Sequence, residues 1–134
     1  MSGKLTETAL RPKILLIDDD SFIISMLTFI LTKAGYDITA AQNGVEAIAI
    51  LSGQSADLII MDLMMPEMDG FSFLHWLRTE ANSSVPTIVL TAMSELGATD
   101  EALSEGATLL LVKPIKPAEL LMAIQQILPL PKHT

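Results

Sequence analysis

Short apolar runs and longer mixed stretches alternate along this chain. Ile14-Leu15-Leu16-Ile17 is continuously apolar and stops at Asp18-Asp19-Asp20. A run of that length with no polar parity predicts a strand buried on both faces. Ser21 to Ala34 then carries apolar residues at helical spacing, with Gly35 as its stop. Tyr36 to Ala41 reads as a second strand and Asn43-Gly44 as a turn. Val45 to Leu51 reads as a short helix closed by Gly53. Leu58-Ile59-Ile60-Met61 is a third buried strand that ends at Asp62. Pro66 and the pair Asp69-Gly70 interrupt the chain before a helix over Phe71 to Thr79. Pro86 opens a fourth strand, Thr87-Ile88-Val89-Leu90, which ends at Thr91. Ala98 to Glu105 is a weak fourth helix stopped by Gly106. Leu109-Leu110-Leu111-Val112 is the fifth strand, ending at Lys113-Pro114. Pro117 to Leu128 is the last helix, with proline in its favoured first turn.

Strand and helix thus alternate through five βα units, which implies an α/β fold with a parallel sheet covered on both faces. Right-handed crossovers leave few topologies. No repeat or low-complexity tract divides the chain. We expect one domain over residues 12–128, a flexible arm over 1–11, and a tail or the start of a linker over 129–134.

Composition narrows the chemistry. The 134 residues fit one domain, and half are apolar, enough for a sizeable core. Sixteen acidic against 8 basic residues give a net charge of −8. That balance argues against direct nucleic-acid binding, which needs basic surface. It suits a cation site, because clustered carboxylates attract hard divalent ions. The absence of cysteine excludes disulfides, thiolate metal sites and thiol catalysis. No apolar run is long enough to span a membrane, and Met1 to Arg11 lacks the apolar stretch of a signal peptide. A cytoplasmic location is the expectation.

Open parallel sheets bind ligands at the carboxyl ends of their strands. Four of the five runs end in a chemically capable residue: Asp18 and Asp19, then Asp62, Thr91 and Lys113. Each has an ordinary structural reading by itself. Asp20 or Ser21 suits a helix cap, Asp62 a turn, Thr91 a plain strand end and Lys113 a solvated loop. Four coincidences at one rim are harder to dismiss than one. Three close carboxylates repel unless a cation neutralises them. Oxygen-only donors select a hard ion such as Mg²⁺. One carboxylate can also act as a nucleophile toward phosphorus, a reaction that needs positioning and charge neutralisation above all.

The segments Ile14–Asp20, Leu58–Gly70 (LIIMDLMMPEMDG), Ile88–Ala92 (IVLTA) and Leu111–Pro114 (LVKP) resemble the receiver domains of two-component response regulators. The likeness runs from about Lys13 to Leu128 with every motif in order. It implies a flavodoxin-like three-layer sandwich with sheet order 2-1-3-4-5. It implies a phosphoacceptor switch in which Asp62 receives a phosphoryl group from a phosphohistidine of a sensor histidine kinase or histidine phosphotransferase. Asp19 matches the direct Mg²⁺ ligand and Asp18 its partly water-mediated acidic partner, with Asp62 and the Met64 backbone carbonyl completing the set. Mn²⁺ is expected to substitute. Thr91 matches the switch hydroxyl, Ala92 the small residue whose N–H assists it, and Lys113 the lysine that pairs with the phosphoryl group. The bond to Pro114 is expected to be cis. The surface near the fourth helix and fifth strand is where the family's change is read out. Such a domain modifies itself and has no separate turnover substrate.

One departure stands out. The family usually carries an aromatic residue at the place of Leu110, so the family's coupling of Thr91 motion to an aromatic rotamer has no counterpart at this position. Met64 and Met93 make the rim more apolar than in many members. In the first helix, Ile23, Met26, Leu27, Ile30 and Leu31 form a core-facing stripe. Phe22, Ile24 and Phe29 are left over, either as scattered surface residues or as a docking patch for the phosphodonor. On the third helix, Phe73, Leu74 and Leu77 suit the core, His75 the surface, and Trp76 a partly packed position.

Three other functions are weighed. An aspartate-nucleophile phosphatase of the haloacid dehalogenase type needs a second Asp two positions after Asp62, where Met64 stands. A flavin-binding module needs a Ser/Thr-Gly-rich loop after the first strand, which is absent. A receiver-like module that is never phosphorylated would have no use for the full acid, threonine and lysine set.

Overall fold

The structure is a computed structural model and describes residues 11–65, 67–92, 97 and 99–130. Expectations for the N-terminal arm before Arg11, for Pro66, Met93 and Ala98, and for residues 131–134 lie outside the described residues. Strands β1 (Lys13–Ile17), β2 (Asp37–Ala41), β3 (Leu58–Asp62), β4 (Thr87–Thr91) and β5 (Leu109–Val112) alternate with helices α1 (Ser21–Lys33), α2 (Gly44–Gly53), α3 (Gly70–Thr79), α4 (Thr99–Ser104) and α5 (Pro117–Ile127). All strand pairings are parallel, in the order β2-β1-β3-β4-β5. The expected elements are all present, with ends displaced by one or two residues.

The period of two along each strand divides the core. Leu15, Ile17, Ile59, Met61 and Val89 pack on one face with Ala47 of α2, Phe73, Leu74 and Leu77 of α3, and Ala102 of α4. Ile14, Leu16, Leu58, Ile60, Ile88 and Leu90 pack on the other with Leu27 and Leu31 of α1 and Leu120 and Ile124 of α5. This is why β1, β3 and β4 read as unbroken apolar runs: both parities are buried. Each fully buried Leu or Ile contributes about 1.5–3 kcal/mol of transfer free energy.

Local signals set the helix ends. Asp20, not Ser21, caps α1, its carboxylate accepting from the N–H groups of Phe22 and Ile23. An ionised carboxylate satisfies two orphan donors and faces the positive end of the helix dipole, which a serine hydroxyl does less well. Asn43-Gly44 is not a free-standing turn. Asn43 caps α2 by accepting from Glu46 N at 2.8 Å, and Gly44 is already helical. Of the expected α1 stripe, Leu27 and Leu31 are fully buried and Ile23 and Met26 pack at the edge of the core. Ile30 is only half-buried. Past α5, Leu128 and Leu130 also pack on the α1–α5 side of the core, and the Tyr36 hydroxyl donates to Leu128 O at 3.1 Å.

Candidate functional site

Ladder hydrogen bonds continue one residue past the strands at the carboxyl rim. Asp18 N donates to Ala41 O at 3.1 Å, Leu63 N to Leu90 O at 3.0 Å, and Lys113 N to Thr91 O at 2.8 Å. The backbone on which the site is built is therefore held by the sheet's own hydrogen bonds.

On that rim, Asp18, Asp19 and Asp62 offer carboxylate oxygens that all lie within 4.8 Å of one another. Asp18 and Asp62 are buried and Asp19 is exposed. Lys113 Nζ lies 3.1 Å from Asp62 Oδ2. The other Asp62 oxygen accepts a long hydrogen bond, 3.4 Å, from Met64 N. Thr91 is fully buried at the end of β4, its hydroxyl donating to Ala92 O at 3.4 Å. The Lys113–Pro114 peptide bond is cis. Asp18, Asp19, Asp62 and Lys113 thus lie together at the carboxyl rim, with Thr91 at the end of β4.

Asp18 is the electrostatic centre. Burial pushes its carboxyl up to about 6, with Asp62 and Asp19 adding to the rise. The hydrogen bond from Asp20 N to Asp18 Oδ1, 2.9 Å, and the charge of Lys113 oppose it. Asp18 Oδ2 is buried without a hydrogen-bond partner among the described residues. A buried acceptor left unsatisfied costs roughly 1–3 kcal/mol and calls for a ligand. Three carboxylates against one lysine leave excess negative charge, and the donors are all oxygen. The residues therefore fit a hard divalent cation, Mg²⁺ above softer metals.

The remaining candidates divide between the rim and other parts of the fold. Leu110 sits in β5 opposite Val89 and packs half-buried against the α2–α4 side of the core. Met64 is exposed at the rim, as is Pro114. Phe22 is 70% exposed, whereas Ile24 is half-buried and lines a shallow groove on α1 with Phe29 and Lys33. Lys33 Nζ lies 5.1 Å over the Phe29 ring. His75 is exposed and 3.1 Å from Glu105 Oε2. Sequence reading missed Arg78, whose guanidinium reaches Gly106 O, Ser83 O and Thr87 Oγ1. Its only sequence signal is a lone basic residue in the last turn of an apolar helix.

A parallel sheet in the order 2-1-3-4-5, with helices on both faces and an acidic triad and a lysine on its carboxyl rim, defines a flavodoxin-like α/β domain. Residues 14–125 match the family described as "Response regulator receiver domain". The chain belongs to that family of two-component signalling proteins. A "Probable transcriptional regulator ycf27" of Porphyridium aerugineum is 40% identical over 118 residues, 88% of this chain and 48% of the relative. The chain spans about half the length of the curated relatives it matches. Among solved structures, the chemotaxis response regulator CheY4 of Vibrio cholerae is 35% identical with a TM-score of 0.82, covering 88% of this chain and 99% of that one. The signal receiver domain of a histidine kinase from Syntrophus aciditrophicus is 34% identical with a TM-score of 0.79, over 87% and 89% of the two chains.

Proposed function

We propose that this chain is a Mg²⁺-dependent phosphoacceptor switch in which Asp62 is the residue modified. One observation supports the reading: the buried Asp62 carboxylate lies within 4.8 Å of two further carboxylates and 3.1 Å from the Lys113 ammonium. Asp19, Asp62 and the Met64 carbonyl would hold the cation directly, with Asp18 partly through water. When bound, the cation neutralises charge on the carboxylates and on the incoming phosphoryl oxygens.

The Asp62 oxygen attacks phosphorus in line, the phosphorus–nitrogen bond of a donor phosphohistidine breaks, and the imidazole leaves with that electron pair. Lys113 then exchanges a carboxylate oxygen for a phosphoryl oxygen. The Thr91 hydroxyl and the Ala92 N–H supply further donors to the same group. Because Lys113 follows β5 and Thr91 ends β4, recruiting them changes the surface around α4 and β5. Leu110 has no polar tip to follow Thr91, so the readout runs through backbone and packing instead of an aromatic rotamer. Water attack on phosphorus resets the switch, and there is no separate turnover substrate. Phe22, in the first turn of the helix that follows Asp18-Asp19-Asp20, and Ile24 serve as the docking face for the phosphodonor, a sensor kinase or phosphotransferase in the cytoplasm.

The test is incubation with acetyl phosphate and Mg²⁺, read by intact mass. One phosphoryl group should be gained, and none in EDTA or in Asp62→Asn. An unchanged mass in folded protein with Mg²⁺ present overturns the reading.

A further inference from the structure

The loop that carries Asp62 into α3 is anchored at its far end by a contact no rim motif accounts for. Gly44, buried at the start of α2, faces Met68: a Cβ there would lie 3.0 Å from both Met68 Cγ and Sδ and 3.1 Å from Met68 Cβ. Only a residue without a side chain lets the Met68 side chain lie this close to the α2 backbone. Met68 is half-buried and packs against the core cluster beneath α2 and α3. Its neighbour Glu67 sits at φ 68°, a left-handed conformation that costs a non-glycine residue roughly 1 kcal/mol. Such a conformation persists where its surroundings over-determine it.

The loop is also closed on itself. Gly70 N donates to Leu63 O at 2.8 Å, and a Cβ on Gly70 would come within 2.7 Å of that same oxygen. Leu63 is fully buried, so the near end of the loop is fixed by the sheet and core. Between these anchors lies Met64, whose carbonyl the reading above assigns to the cation. Its place depends on both ends of the loop being held.

We propose that Met68, seated on Gly44, is a positioning residue for the cation-binding loop, so that the fit of this seat sets the affinity for Mg²⁺. The proposal rests on the phosphoacceptor reading for the role of the Met64 carbonyl. It makes α2, which contributes no ligand, part of the apparatus that tunes the site. An added methyl at position 44 pushes Met68 outward and shifts the loop by a few tenths of an ångström, which matters because Mg²⁺ demands near-ideal geometry.

The experiment is a double-mutant cycle on the full chain: Gly44→Ala, Met68→Ala, the double variant, and Met68→Leu. Mg²⁺ dissociation constants are measured by calorimetry, and melting temperatures in EDTA. Gly44→Ala should raise the dissociation constant about three- to tenfold in the Met68 background. It should change it by a clearly smaller factor once Met68 is truncated, because the contacts with Cγ and Sδ are gone and only the Cβ contact at 3.1 Å remains. Met68→Leu, which keeps the reach, should stay within about twofold of the unaltered chain. Equal effects of Gly44→Ala in both backgrounds, or no change in any variant, overturn the proposal while leaving the phosphoacceptor reading intact. Absence of Mg²⁺ binding by the unaltered chain overturns both.

Discussion

Lys113 Nζ approaches Asp62 Oδ2 to 3.1 Å at the carboxyl rim, with the lysine side chain 31% exposed and the aspartate 9%. The pair joins the ends of β3 and β5, which are not neighbours, across the end of β4. Lys113 thus offsets part of the negative charge of the acidic corner.

Replacing that lysine separates its two roles. Lys113→Ala leaves the carboxylates less compensated, and we expect the protein in EDTA to lose about 1–2 kcal/mol, discounted for the partial exposure of the pair. Mg²⁺ should restore much of the loss, since it neutralises the same group. Phosphorylation by acetyl phosphate should fall at least tenfold even at saturating Mg²⁺. Melting curves with and without Mg²⁺, alongside a mass-based time course, check both halves.

The pH dependence follows from Asp18. Burial pushes its folded carboxyl up to about 6, from the ordinary aspartate value of 3.8. The folded state therefore holds this proton more tightly than the unfolded chain does. Its contribution to stability is fully present below the unfolded value and is lost as pH rises through about 6. Cation binding needs the ionised form, so Mg²⁺ affinity should weaken about tenfold per pH unit below pH ~6 and level off above it. Calorimetric titrations between pH 5 and 8 test the slope. Asp18→Asn should flatten the profile, raise the melting temperature of the metal-free protein, and weaken Mg²⁺ binding: stability gained where function is lost.

Asp20 adjoins the acidic corner but serves the helix. Its carboxylate accepts from Phe22 N at 2.9 Å and Ile23 N at 3.4 Å. Asp20→Ala should cost about 1 kcal/mol and lower the melting temperature by roughly 4 °C. Mg²⁺ affinity should change less than about threefold, because Asp20 N still donates to Asp18 Oδ1. A large loss of affinity would place Asp20 among the ligands instead.

Arg78 ties α3 to the turn before β5 and to the start of β4. Its guanidinium donates twice to Gly106 O, at 2.8 and 3.2 Å, and to Ser83 O and Thr87 Oγ1 at 3.2 Å. Burial lowers its pKa from the ordinary arginine value. Arg78→Ala should destabilise the fold by about 2–4 kcal/mol by leaving these acceptors unpaired. Arg78→Lys should recover only part, since one ammonium cannot span the fork. Urea unfolding measures both, and the folded fraction should still take a phosphoryl group on Asp62.

The sequence by itself determined the strands, their burial and the identity of the rim. Ile14 to Ile17 and Leu58 to Met61 are apolar at both parities, and a strand can bury both only in the middle of a covered parallel sheet. Asp18, Asp62, Thr91 and Lys113 were legible because a side chain at a strand's carboxyl end must lie on the sheet's rim, whatever the loops do. The choice of Asp20 over Ser21 as cap needed the backbone geometry, since either side chain satisfies the pattern. The raised proton affinity of Asp18 needed tertiary burial, because desolvation depends on what covers a group and not on its neighbours in the chain. The Met68 seat on Gly44 and the Arg78 hub likewise arise only when separate βα units pack. Periodicity encodes which face of an element is buried. Which side chains from other elements meet it there is a property of the assembled layers.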